Sequence, residues 1–491
     1  MIKMLRFTVI CWLMMALNFV QAQEITLSSP VKTPSKLIDF EILGKNDNGI
    51  FVHYYSNVKN EIEVFNQHLR PVIRRDIELK DRNSRIESVL LREKGGVVFY
   101  SHNENDKQYL KAKILSGNLS LSNSFTVIDS IVKNRNIGFE PYYIKQSPLR
   151  KYFLVFNIYD ERNKFSVKYS VYDEELEYVD GGVFENFQER IVLKSFKIND
   201  DGVVYAVMAR KAKRAEINEY IYDEIYTFAY HINTKRGVQQ TSDYNGYMFK
   251  DFATEIDSKS GKAFTTANYI NTNNKTDIGF VIMTSETNTS EQGQMKYPFT
   301  ESEMTSMNSF ITKNWIDQAL IIKPKKVMPQ SDGGCLVILE SQYRVTKVVR
   351  DLPSMHSYPY MTNNNYSSRV YSEDNYFDIT AVSIDGKGRV NWNIVLPKKQ
   401  ITEGDGGLYS SFFMYESNHL LKFLFNEDIY SSGNFVEYNV NPIGMSKRVS
   451  ILNSEREQFL PIPRRGVQIS ESEIIIPSEQ KRSLQLLLLK Y

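Results

Sequence analysis

Apolar runs of strand length, each opened by a polar turn, recur along almost the whole chain. "IFVHYYS", "VVFYSH", "YFLVFNIY", "VVYAVMA", "KAFTTANY", "CLVILES", "LLKFLFN" and "EIIIPSE" follow directly on the turns "KNDNG" (45–49), "EKGG" (93–96), "SPLRK" (147–151), "NDDG" (199–202), "DSKSG" (257–261), "SDGG" (331–334), "ESNH" (416–419) and "SES" (470–472). A short extended segment precedes each turn: "DFEIL", "ESVLL", "PYYIK", "KSFKI", "ATEI", "KKVM", "SSFFM" and "GVQI". β-Branched and aromatic residues in the flanks predict strands, and Asn-Gly and Asp-Gly supply the positive backbone angles that tight hairpins need.

The first four intervals between turns run from roughly 47 to 59 residues, with further strand-like segments such as "EIEVFN", "FSVKYSVYD" and "YTFAYHIN" inside the units. That spacing suits four strands per repeat with no helix between repeats. The expected fold is all-β, a single β-propeller over 23–491, with eight blades and seven as the alternative. The last unit, ending "SLQLLLLKY", is one strand short, and "EITLSS" near the N-terminus offers the strand that closes the ring. An outer-membrane barrel would alternate apolar and polar positions throughout, whereas "CLVILE" and "LLLL" are continuously apolar.

The first twenty-two residues change the compartment. Lys3 and Arg6, the run "FTVICWLMMALNFV" and the small residues before Gln23 read as a cleaved signal peptide, 1–22. The expected mature protein is exported: periplasmic, outer-membrane-associated or secreted. Removing Lys3 and Arg6 leaves 58 basic against 58 acidic residues. Without a basic excess, neither nucleic-acid binding nor a polybasic membrane surface is expected. No later apolar run approaches twenty residues, so no membrane-spanning helix is expected after signal cleavage. Of two cysteines only Cys335 survives processing, so no internal disulfide can form, and its place in "CLVILE" reads as a buried small hydrophobe.

The stretch "ITAVSIDGKGRVNWNIVLPK" (379–398) reads as strand, turn and strand, and resembles the Asp–x–x–Gly–x–x–x–Trp punctuation of bacterial propeller repeats through Asp385, Gly388 and Trp392. The following "KKQITEGDGGLYSSF" (398–412) is similar to a recurring stretch of uncharacterised exported propeller-like proteins of Bacteroidota, the likeness being fullest over about 376–426. It implies an envelope propeller and carries no reaction with it. Asp385 and Trp392 are expected to be structural, because Trp392 comes too late for a sialidase Asp-box and a side-chain oxygen at Asp385 suits backbone amides in its own turn.

Candidate chemistry is sparse. The six histidines form no compact ligand pair, no serine sits in a nucleophile elbow, and "NDNG" and "NDDG" lack the donors of a calcium loop. No metal, cofactor or catalytic residue is assigned. Two stretches break the repeat spacing. In 283–319, "TESEMTSMNSFITKNWIDQA" has Thr300 and Glu303 as a capping box and Met307, Ile311 and Trp315 at helical spacing, a helix that packs on the propeller flank or meets a partner. In 343–376 lies an expected long loop. Tyr358, Tyr360, Tyr366, Tyr371 and Tyr376, with Asn363, Asn364, Asn365 and Arg369, combine flat contact area with hydrogen-bonding groups. The expected function is non-enzymatic binding or scaffolding in the cell envelope, recognising a protein or glycan through loops on one face. The alternative is an envelope glycoside hydrolase or lyase with an acidic site in the central funnel.

Overall fold

The computed structural model describes residues 24–491 apart from 57–58, 80–82, 133–140, 162–163, 187–189, 213–220, 275, 308–320, 351–367, 418–419, 430–432 and 481. The signal segment 1–22 lies outside them. Four-stranded antiparallel meanders follow one another along the chain. The first comprises Leu37–Asn46, Gly49–Ser56, Asn60–Phe65 and Pro71–Asp76. Further sheets cover 84–132, 143–186, 322–403 and 413–453. An eight-stranded sheet spans 191–298, but its two meanders, 191–241 and 247–298, are joined only through the pair Tyr222–Phe249.

The last sheet closes the molecule. Val467–Gln468, Glu473–Gln480 and Ser483–Lys490 supply three strands, and Glu24–Leu27 pairs antiparallel with the third, Glu24 opposite Lys490 and Leu27 opposite Leu487. Strands from the two ends of the chain thus share one sheet, the closure expected from "EITLSS". First strands of neighbouring units touch around most of the ring and so line its axis. The fold is a β-propeller.

All eight sequence turns connect the first and second strands of a unit. Gly49 shows why the residue type matters: its φ is +132°, and a Cβ there would stand 2.3 Å from the Phe65 carbonyl oxygen. Apolar seams lie between units. Phe51, Ile62 and Val64 meet Val89, Leu91 and Val98, and each later unit repeats the arrangement with its successor. The series ends where Ile475, Leu486 and Leu488 pack on Phe40, Val52 and Phe65 of the first unit. Cys335 is buried in one seam, and burial pushes its thiol up to about 12.

Antiparallel strands sort the connections by length. First-to-second and third-to-fourth connections open on one face and run from two residues, as at 47–48, to ten, as at 116–125. Second-to-third connections and those between units open on the opposite face, where the strands flanking 299–321, 351–367, 397–412 and 454–466 end and begin.

Both expected insertions need correction in extent. Residues 283–298 belong to the strands Ile278–Glu286 and Gln292–Pro298, so the first insertion begins only at Phe299. The second is no irregular loop at its base. Cys335–Arg350 and Ser368–Ile384 pair continuously from Gln342–Tyr376 to Arg350–Ser368. The last five pairs, Thr346–Ser372 to Arg350–Ser368, run on beyond the strand Gln400–Glu403 as a two-stranded ribbon of about 15 Å at 3.4 Å per residue. Strand periodicity was invisible there because a two-stranded ribbon outside the core has no apolar face to mark.

Candidate functional site

The long-connection face is most elaborate over the sixth unit, where helix, hairpin and the stretch 397–412 meet. The helix Glu301–Met307 is opened by the expected capping box: the Thr300 amide donates to Glu303 Oε2 at 2.7 Å and the Glu303 amide to Thr300 Oγ1 at 3.2 Å. Met304 and Met307 are each 1% exposed and join the seam with Phe280 and Val382. Met307, offered from sequence as a partner contact, is therefore core, and Ser341 Oγ donates to its carbonyl at 3.1 Å. Ile311 and Trp315 lie outside the described residues.

The hairpin base is fixed by charge and by a third strand. Arg344 Nε meets Asp374 Oδ1 at 2.6 Å across the ladder, and Gln400–Glu403 pairs with Glu373–Tyr376. Tyr376, the last of the expected ligand-facing tyrosines, is 1% exposed. Its hydroxyl accepts from Arg464 Nη2 at 3.0 Å, and its ring lies 5.9, 5.7 and 5.4 Å from the cationic heads of Lys325, Lys398 and Arg464. It packs the base of the hairpin instead of facing solvent. Tyr358, Tyr360, Asn363, Asn364, Asn365 and Tyr366 lie outside the described residues, while Arg369 and Tyr371 are placed as backbone positions in Ser368–Ile384.

Beneath Tyr376 lies a buried polar knot that sequence reasoning missed. Glu340 meets Lys398 Nζ and Lys325 Nζ, each at 2.9 Å, and accepts from Ser411 Oγ at 2.8 Å. Lys398 also donates to Gln400 Oε1 at 3.0 Å, Lys325 to Gln342 at 2.8 Å, and Gln400 Nε2 to the Asn426 carbonyl at 2.7 Å. Burial alone would raise the Glu340 carboxyl, but the ammonium groups of Lys398 and Lys325 outweigh it and hold it at about 2. Burial lowers the pKa of Lys398. A carboxylate so committed has no proton to exchange near neutrality; the knot clamps the hairpin base, the 397–412 connection and the sheet core together. One signal did exist: "CLVILE" ends an apolar run on a carboxylate, and Lys398, Gln400 and Ser411 fall within the stretch 398–412.

The punctuation residues hold structure. Asp385 Oδ1 accepts from the amides of Lys387 and Arg389 at 2.9 and 2.8 Å. Trp392 Nε1 donates to the Pro442 carbonyl of the next unit at 2.9 Å, and a Cβ on Gly444 would stand 2.7 Å from its ring. Among the described residues no three His, Cys, Asp or Glu side chains are placed to hold a metal ion, and no helix is long and apolar enough to cross a membrane.

No protein-family model and no curated protein matches this chain. Among solved structures it is similar to Sqt1 of Chaetomium thermophilum, at 10% identity and a TM-score of 0.39 over 95% of this chain and 97% of that one. The β-propeller domain of Nup133 from Vanderwaltozyma polyspora gives 8% and 0.38 over 80% and 91%. A polysaccharide lyase of family PL25, an ulvan lyase, gives 10% and 0.37 over 87% and 94%.

Proposed function

We propose that this is a non-enzymatic, exported binding or scaffold protein of the cell envelope, akin to the Bacteroidota propellers that 376–426 resembles, which engages a partner protein through its long-connection face. The ring is read as eight-bladed, a count supported by the apolar seams that run from each unit to the next. The observation that carries the functional reading is the segregation of connections: those on one face are ten residues or fewer, while the helix, the projecting ribbon and 397–412 share the other. Connections made on a rigid ring can vary without disturbing its core. A ribbon anchored by Glu340 and Tyr376 and projecting about 15 Å past its third strand suits contact with a macromolecular surface.

The test replaces 351–367 by Asn-Gly, which closes the ladder at the pair Arg350–Ser368. Cross-linked pull-downs from intact envelopes should recover a specific protein with the full chain and lose it with the shortened one. Equal recovery with both chains would remove the ribbon from the site.

A further inference from the structure

A second surface lies away from that face, on the outer rim. The fourth strand of each unit ends its sheet, so one row of its main-chain N–H and C=O groups has no strand partner. Most of these edges carry a guard. Pro71, Arg74 and Arg75 stand on the first, Lys296 and Pro298 on the fifth, and Lys447 and Arg448 on the seventh. Trp392 ties the sixth to Pro442 of the next unit. The fourth is closed from outside: Gln292 and Gln294 of the fifth unit donate to the Gln239 and Thr241 carbonyls at 2.9 and 2.8 Å.

The second unit ends differently. Its outer strand Thr126–Val132, "TVIDSIV", has no proline, glycine, lysine or arginine. Its one charge, Asp129, is neutralised by Lys168 of the third unit at 2.7 Å. Among the described residues, one main-chain group of this strand is bonded outside its sheet, the Ile128 carbonyl, which accepts from the Tyr172 hydroxyl. Lys168 and Tyr172 belong to the third strand of their unit, Lys164–Asp173. A third strand thus touches a fourth, and the two units are offset by one strand. The fourth strand of the third unit, Tyr178–Asn186, runs about 4.8 Å further out and stands over the place that a strand added to Thr126–Val132 would take. On that side it presents Tyr178, Gly181 and Val183, the ladder partners of Tyr172, Ser170 and Lys168. Tyr178 is 60% and Val183 56% exposed. Where the fifth unit hangs glutamines over its neighbour's edge, the third unit offers an apolar ledge and leaves the edge open.

We propose that Thr126–Val132 is a strand-addition site: an extended, uncharged segment of a partner protein, apolar at alternate positions, pairs with its open edge and lays its apolar side chains on Tyr178 and Val183. The site shares no residue with the long-connection face and does not rest on the reading given for that face.

The probe is a labelled, end-blocked heptapeptide alternating threonine and valine, with the same peptide carrying a central proline as control, titrated into the purified full chain by fluorescence anisotropy. The alternating peptide should bind saturably and slow amide exchange within Thr126–Val132; the proline peptide should do neither. Val183→Lys should weaken the peptide about fivefold and leave thermal unfolding unchanged, because that side chain is exposed. Val72→Lys, on the guarded edge of the first unit, should leave affinity unchanged. Equal binding of both peptides, protection confined to other strands, undiminished affinity in Val183→Lys, or no saturable binding would each overturn the assignment. Dimers of the full chain that Val183→Lys abolishes would give the edge to a second copy and overturn it equally.

Discussion

His53 is fully buried, its ring 3.9 Å from that of Tyr55, and both its ring nitrogens lack a hydrogen-bond partner among the described residues. Burial pushes its pKa down to about 4, against about 6.5 for an exposed imidazole. The folded state therefore resists a proton that the unfolded chain accepts, so stability is intact above about pH 6.5 and falls as pH drops toward about 4. The shift corresponds to about 3 kcal/mol. Urea unfolding across that window should show the loss in the native protein and not in His53→Leu; parallel acid limbs would contradict the buried neutral ring. Glu340 gives the opposite case, a buried charge that is fully matched. Glu340→Gln strands the Lys398 ammonium, itself 3% exposed, and should cost roughly 3–5 kcal/mol. Adding Lys398→Met should restore much of that loss, and a single variant that unfolds like the native protein would rule out the clamp. Sequence reading singled out neither residue, although the carboxylate that ends "CLVILE" was a signal for Glu340. Burial of one histidine among six, or one glutamate among 58 acids, depends on which strand face meets which seam.

At the scale of elements, legibility followed the presence of a core. The first-to-second turns were readable because polar residues, with Gly, Asn or Asp in six of the eight, punctuate apolar runs, and the Thr300–Glu303 box located a helix start to the residue. The ribbon was not readable. Residues 346–350 and 368–372 pair with each other beyond the third strand Gln400–Glu403, so no period-two apolar pattern marks them. Tyr376 was misjudged for a related reason: a tyrosine in a polar stretch looks exposed until the strand Gln400–Glu403 and Arg464 are laid against it. These facts fix where the ribbon can be cut. A deletion reaching Tyr376 removes core, whereas replacing only 351–367 by Asn-Gly leaves the Arg344–Asp374 pair and the whole ladder in place. Unfolding of that shortened chain should therefore shift by no more than about 2 kcal/mol, upward if at all, since closing a shorter loop costs less entropy. A large loss of stability would mean that the tip packs on the ring and that its binding phenotype is not specific.

The whole molecule depends on one closure. Every seam is repeated except in its covalent connection, because the sheet that joins last unit to first draws its outer strand from the other end of the chain. Glu24–Leu27 covers the edge of Ser483–Lys490, and the Ser28 hydroxyl accepts from the Leu486 amide at 2.9 Å just beyond it. Without that strand the edge beside Leu487, Leu488 and Leu489 stands open, an apolar template for pairing with another chain. Removing residues 24–32 should lower stability by roughly 3 kcal/mol, from lost ladder bonds and the contacts of Ile25 and Leu27, and should bring concentration-dependent association in light scattering. A synthetic peptide of the removed strand, added in trans, should restore both the melting temperature and the monomeric signal, because the edge it fills is preformed by Glu473–Gln480 on its other side. If the truncated chain melts and scatters like the full one, closure is carried by the seam of Ile475, Leu486 and Phe40 alone, and the strand neither stabilises the ring nor shields its edge.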